Sequence, residues 1–340
     1  MIDSDKAEKM KDNSVDPFEH DRQMIVKAIN DDLKGQYGDS FVFKMIAPYF
    51  GRQGKKLRPL ISVYVYRLIA GDNAPLKKIH PILSAIEIAH NASLIVDDVF
   101  DKDELRRGDL SFFVKYGTFA ALSIAYNLSA FVFDLATRTD HAEVVRTVGG
   151  AASDLSYALY LSKDLKSSSI VTEEYFMDVL RKKTSSLFRS AAKAAALLAT
   201  DNRITVQVME KFGDNFGTAY QLRDDVLAIQ GTFDDLGKEP DSDIINRFQS
   251  LITIEAFKNA SKEDFRVLTE FYLQDVDYDP DVIRRILIRS GGTQATMERC
   301  LDYRQMCLNT LEKFPVSVTR DKLTELLMKI NFDRIQKYGE

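Results

Sequence analysis

Apolar residues recur along this chain at intervals of three and four, the period of a helix with one buried face. Met24, Ile25, Ala28, Ile29 and Leu33 form such a face, and a second apolar stretch covers 57–69. A longer one runs over 75–101, where Ile82, Ala85, Ile86, Ala89, Ser93 and Val96 share a side. The same spacing predicts helices over 118–138, 141–163, 173–199, 205–229, 242–257, 263–274, 280–289, 294–313 and 318–337. Thr172-Glu173-Glu174 and Ser261-Lys262-Glu263-Asp264 have the form of helix starts, a hydroxyl cap followed by acids in the first turn. No segment alternates like a half-buried strand, and no Asn-Gly hairpin signal occurs. Several helices are apolar nearly all round and belong at the centre. The expectation is an all-α fold, one domain over 17–340 built as a single bundle of about a dozen helices. Residues 1–16 are charged and without periodicity, and are expected to be a disordered leader.

Composition narrows the classes. Hydrophobic residues make up 45% and charged residues 29%, an ordinary folded balance. With 46 Lys and Arg against 51 Asp and Glu, the net charge of -5 lacks the basic footprint of a nucleic-acid binder. The two cysteines, Cys300 and Cys307, fall on one helix face two turns apart and cannot bridge. No CxxC zinc pattern exists. The longest apolar run, 119–133, is broken by Ser123, Asn127 and Ser129 and is expected to fall short of a transmembrane span. The N-terminus carries no secretory h-region. A cytoplasmic protein is expected.

Two acidic clusters carry candidate chemistry. Asp97 and Asp101 in Asp97-Asp98-Val99-Phe100-Asp101 are four apart, so both carboxylates share a helix face one turn from each other. Acids at a helix C-terminus oppose the macrodipole, a cost that points to a use. Hard carboxylate oxygens suit a Mg²⁺ that shares its other positions with phosphate and water; a solvated acidic turn is the plain alternative. Asp224-Asp225 follow Gln221 and Arg223 inside an apolar helix, where a salt bridge to Arg223 would explain them alone. Basic residues cluster in Gly54-Lys55-Lys56-Leu57-Arg58-Pro59, Arg106-Arg107-Gly108, Arg181-Lys182-Lys183-Thr184 and around Lys238. Carboxylates and cations together suggest a site that holds diphosphates through metal bridges and Arg/Lys clamps.

In this order the motifs resemble the trans-type isoprenyl diphosphate synthase (polyprenyl synthase) family, including its geranylgeranyl and farnesyl diphosphate synthases. Asp97 to Gly108 reads DDxxDxxxxRRG, and Gly54 to Pro59 reads GKxxRP. His90, Lys183-Thr184, Gln221-x-x-Asp224-Asp225 and Ser290-Gly291-Gly292 fit further elements of the family, and the resemblance covers about residues 20–338. It implies a helical bundle around a central apolar cavity. It also implies condensation of an allylic diphosphate with isopentenyl diphosphate, releasing diphosphate. Three Mg²⁺ ions are implied, two held by Asp97 and Asp101, with Asp98 behind them, and one by Asp224. Arg106, Lys183 and Lys238 would contact the allylic diphosphate. Lys55, Arg58, His90 and Arg107 would contact isopentenyl diphosphate. Thr184 and Gln221 would face the developing cation. Ala89, Ala92 and Ser93 are small one and two turns before Asp97, implying a product of twenty carbons or longer. A homodimer is implied, with a heteromer as the alternative. The pattern departs at Ala228 and Ser242, and at Ala125-Tyr126 and Tyr160-Leu161, which the resemblance places on dimer-side helices. These departures leave open a terpene cyclase-like enzyme on the same fold, or a non-catalytic subunit of a heteromeric synthase. Asp275, Asp277 and Asp279 lack the Gly and Glu of an EF-hand and read as a solvated turn. His20, His80 and His141 are scattered. Phe131, Phe133, Tyr157 and Tyr160 read as core.

Overall fold

The computed structural model describes residues 16–51, 54–166, 169–231, 242–333 and 335. Helices α1 (Glu19–Tyr37), α2 (Phe41–Gly51), α3 (Leu57–Ala70) and α4 (His80–Asp101) open the chain. A two-residue hairpin, β1 (Leu105–Arg106) with β2 (Asp109–Leu110), leads to α5 (Phe112–Tyr116), α6 (Thr118–Thr137) and α7 (Ala142–Leu161). Next come α8 (Glu173–Leu180), a π-turn over Arg181–Ser185, α9 (Ser186–Ala199) and α10 (Arg203–Gln230). The remainder comprises α11 (Ser242–Ile245), α12 (Leu251–Asn259), α13 (Lys262–Leu273), α14 (Pro280–Arg289), α15 (Gly292–Leu311) and α16 (Val318–Met328). The fold is all-α, as the periodicity predicts.

Helix α9 sits at the centre because its sequence lets it. Ala191, Ala192, Ala194, Ala195 and Ala196 are all buried, and their small side chains let α3, α4, α7 and α10 approach from several sides. The crossing with α10 is closest at two glycines. A Cβ on Gly213 would lie 2.4 Å from the Phe188 carbonyl oxygen, and one on Gly217 would lie 2.7 Å from Ser185 Cα. Most helices share one core around α3, α4, α9 and α10. A second cluster, with Val226, Ile229, Ile252, Phe257, Leu268 and Leu287, joins the end of α10 to α12, α13 and α14.

The caps expected at two starts are present. Thr172 Oγ1 accepts from Tyr175 N at 3.2 Å, and Ser261 Oγ accepts from Asp264 N at 3.1 Å. Several boundaries differ from expectation for identifiable reasons. The segment 173–199 is interrupted by the π-turn, which carries Lys183 and Thr184. The segment 242–257 breaks between α11 and α12, where Arg247 adopts φ 53° and its guanidinium reaches the Phe271 carbonyl and Asp277. Helix α2 was hidden by its nearly unbroken apolar run and internal Pro48. Of the leader, residues 1–15 lie outside the described residues, while Asp16 accepts from Phe18 N at 3.1 Å. Cys300 and Cys307 are both free and buried. The Asp275–Asp279 turn is open to solvent around the carboxylates of Asp275 and Asp277, with Arg247 against it.

Two expectations about apolar residues need correction. Phe131 is buried, but Phe133, Tyr157 and Tyr160 are exposed. Helix α6 is long and apolar enough, by length and composition, to cross a membrane, where the sequence reading had its apolar run falling short. One flank of α6 packs on α4 and α7. The other shows Phe119 (86% exposed), Leu122, Tyr126 (81%) and Phe133. It is this second apolar flank that raises the hydropathy, and a core helix of a folded protein meets the same criterion.

Candidate active site

The site forms where the C-terminal turn of α4 meets the π-turn and the middle of α10. Asp97 and Asp101 share one face of α4, and each already faces a cation. Lys183 Nζ lies 3.0 Å from Asp97 Oδ1, and Lys166 Nζ lies 3.2 Å from Asp101 Oδ1. The π-turn makes the first contact possible. One extra residue in the turn shifts the register of 181–185, a distortion common at functional sites. It sends Lys183 toward α4 and Thr184 toward α10. Thr184 Oγ1 donates to Gln221 Oε1 at 2.7 Å, and Gln221 Nε2 donates to Asp225 Oδ1 at 2.8 Å. A chain of hydrogen bonds ending on a carboxylate fixes every member. With its proton committed to Gln221, Thr184 keeps its lone pairs as acceptors.

Asp98 points elsewhere. It is 0% exposed and accepts from Arg106 Nε at 2.7 Å and from Arg106 Nη2. Burial pushes its carboxyl up, against the pull of Arg106. Arg106 also reaches Asp103 at 3.1 Å. Arg107 and Gly108 have φ 56° and 77°, the two left-handed positions of a tight hairpin turn. That turn splits the arginine pair. Arg106 runs back onto α4, while the Arg107 guanidinium lies 3.3 Å from where a Gly54 Cβ would stand. A side chain at 54 would therefore crowd Arg107.

The second group of cations surrounds His90. Burial first, then Arg58, Arg107, Lys56 and Arg106, hold its imidazole well below the usual histidine range, so it is neutral near pH 7. Arg58 stacks on Phe188 with its guanidinium carbon 4.5 Å from the ring centroid, and its Nε is buried without a hydrogen-bond partner. Burial lowers the pKa of this guanidinium, the charges of Glu87 and Asp224 offset that only in part, and Arg107 adds to it, so an arriving anion would be favoured. Lys55 is exposed, with Nζ 5.9 Å from the Tyr220 ring centroid. Arg58 and Tyr220 both feel the charge of Asp224, which also meets Arg223 Nη1 at 3.1 Å.

The structure thus brings Asp97, Asp101, Lys183, Thr184 and Gln221 into one linked arrangement, and Arg58, His90 and Arg107 into another, with Asp224 electrostatically coupled to Arg58. Lys238 lies outside the described residues, as does the side chain of Ser242. Ala228 is buried. His141 accepts from Val144 N at the start of α7, and His80 lies 3.6 Å from Asp32. Sequence reasoning missed Lys56, Glu87 and Asn91, treated below. The available signal was a glutamate inside the apolar Ile86-Glu87-Ile88.

The donor set also bears on metal. Among the described residues no three His, Cys, Asp or Glu side chains converge on one point. A pair of carboxylates on α4 and one carboxylate on α10 instead suit ions that take most of their ligands from water and phosphate.

A family model for polyprenyl synthetase matches residues 39–287. The geranylgeranyl diphosphate synthase of Methanosarcina mazei is 29% identical over 229 residues, 66% of this chain and 70% of that protein. The geranylfarnesyl diphosphate synthase of Aeropyrum pernix is 28% identical over 292 residues, 83% of this chain and 91% of that protein. The structure of a Caulobacter crescentus polyprenyl synthase complexed with calcium and isoprenyl diphosphate superposes with a TM-score of 0.83 at 25% identity, covering 92% of this chain and 94% of that one. On the extent of the family match, joined to a fold and a motif order that agree with it, this chain belongs to the polyprenyl synthetase family.

Proposed function

We propose that this enzyme condenses an allylic diphosphate with isopentenyl diphosphate head to tail, releasing diphosphate and giving a product of twenty carbons or longer. The observation that carries this is a second group of basic side chains, Arg58, His90 and Arg107, beside the cluster of Asp97 and Lys183. A cyclase, which ionises a single substrate, needs only that cluster.

The Asp97–Lys183 side is the allylic site. There the carbon–oxygen bond breaks, the electron pair leaves with the diphosphate, and an allylic cation remains. Lys183, Arg106 and Lys238 serve the departing diphosphate with positive charge. Mg²⁺ bound by Asp97 and Asp101, with a third ion at Asp224, would further neutralise that leaving group. Asp98 is held back by Arg106 and serves to fix the end of α4. Thr184 and Gln221 present oxygen dipoles to the cation, stabilising charge where it develops. The Arg58–His90–Arg107 side, with Lys55, is the isopentenyl diphosphate site. Its groups orient the second substrate without ionising it, and neutral His90 acts as a hydrogen-bond donor. The double bond of isopentenyl diphosphate attacks the cation, and the proton then lost passes to the released diphosphate, so no side-chain base is needed. Ala89 and Ala92 are small and buried on α4 before Asp97, which supports a tail running along that helix. We take 17–340 as one domain working in the cytoplasm, a setting in keeping with two buried thiols.

The exposed flank of α6, together with exposed Tyr157 and Tyr160 on α7, supports a homodimer, since exposed large apolar side chains ask for a partner. The catalytic reading is tested by measuring consumption of both diphosphates with Mg²⁺ and with a chelator. Mg²⁺-dependent consumption in a one-to-one ratio is expected for the first condensation. Consumption of the allylic substrate alone would favour the cyclase.

A further inference from the structure

Lys55 and Arg58 flank a lysine that faces the other way. Lys56 adopts φ 47°, a left-handed conformation at the start of α3 that turns its side chain inward while Lys55 stays in solvent. Its side chain and that of Glu87 are 2% and 3% exposed, and Lys56 Nζ lies 3.0 Å from Glu87 Oε1. The same ammonium donates to the Phe50 carbonyl at 3.2 Å, near the C-terminus of α2. A cation is favoured there by the helix dipole. Glu87 Oε1 also accepts from Asn91 Nδ2 at 3.1 Å, and Asn91 Nδ2 bonds the Glu87 carbonyl at 2.7 Å. Glu87 and Asn91 bracket His90 on α4. One buried ammonium therefore ties together the end of α2, the start of α3 with Lys55 and Arg58 on either side of it, and the turn of α4 bearing His90.

A buried ion pair is a poor way to gain stability, since an apolar pair of the same volume often does as well. A left-handed lysine adds strain. Two costs at one point, between both halves of a binding site, indicate a positional role. We propose that Lys56 and Glu87 are positioning residues that set Lys55 and the first turn of α3, which carries Arg58, against His90, and so govern affinity for isopentenyl diphosphate without touching either substrate. This rests on the assignment of Arg58 and His90 to that substrate.

The test uses Lys56→Met/Glu87→Leu, which removes the two charges of the pair together, including the Glu87 charge that Arg58 feels. Glu87→Gln keeps the shape and one acceptor but leaves the Lys56 ammonium without its counter-charge, so its Tm is expected to fall and its KM is read well below that Tm. KM for each substrate, kcat and Tm are measured for both variants beside Arg58→Ala. The expected result is a KM for isopentenyl diphosphate raised roughly ten- to hundredfold in the double variant, the usual scale for lost supporting contacts. The allylic KM should stay within about threefold and Tm near wild type. A smaller rise of the same kind is expected for Glu87→Gln. If Arg58→Ala raises that KM but neither pair variant does, the positioning role is overturned, and equal rises for both substrates overturn it as well. If Arg58→Ala itself leaves it unchanged, the site assignment falls and the proposal with it.

Discussion

Asp97 and Asp98 are neighbours in sequence and opposites in the structure. Asp97 faces Lys183 across the site, while Asp98 is buried against Arg106. Asp97→Ala or Asp101→Ala should lower turnover by roughly two to three orders of magnitude while the far-ultraviolet circular dichroism stays helical, because each would remove a ligand for the Mg²⁺ that neutralises the leaving group, and no core contact. Near-normal turnover in both would contradict the assignment. His90 gives a prediction about pH. Its folded-state pKa lies below the ordinary 6.5, so between the two values the unfolded chain binds more protons. The contribution is absent above 6.5 and turns destabilising as pH falls. In His90→Gln the loss of Tm on acidification from about pH 7 to 5.5 should be shallower than in wild type. An unchanged slope would show that the imidazole is not depressed. The residue types of both sites were legible as motifs, because diphosphate chemistry demands carboxylates and cations. The roles of Lys56 and Glu87 were not, because only the fold shows that one lysine of an adjacent pair turns inward.

Elements place these residues through two local distortions. The π-turn directs Lys183 and Thr184 to different helices, and the Arg107-Gly108 turn directs the two arginines apart. Neither was visible in the periodicity. A π-turn inserts one residue into an otherwise helical pattern, and an Arg-Gly turn lacks the usual Asn-Gly signal. The helix α9 region, by contrast, was legible from its alanines. The π-turn is seated against Gly217 of α10, so Gly217→Ala should cost roughly 1–3 kcal/mol by thermal or urea denaturation. Its kcat should fall more than either KM rises if Thr184 and Lys183 have the proposed roles at the cation and the leaving group. Full kcat in a destabilised variant would separate the crossing from the site.

At the scale of the whole molecule, the periodicity predicted the helical class but not which faces stay open. Phe133, Tyr157 and Tyr160 carry the spacing of core residues and yet are exposed, because sequence spacing does not distinguish a face covered by the same chain from one left for a partner. Phe119→Glu/Tyr126→Glu should convert a dimer to a monomer in size-exclusion chromatography with light scattering, with secondary structure intact. A wild-type monomer, or a dimer unaffected by these changes, would contradict that use of α6. The central claim is that two anion sites serve one bond-forming reaction. It is tested most directly by incubating the enzyme with isopentenyl diphosphate and a labelled fifteen-carbon allylic diphosphate in Mg²⁺ and analysing the labelled product. The account predicts a linear diphosphate lengthened by whole five-carbon units, whereas a labelled cyclic hydrocarbon, or starting material recovered unchanged, would contradict it.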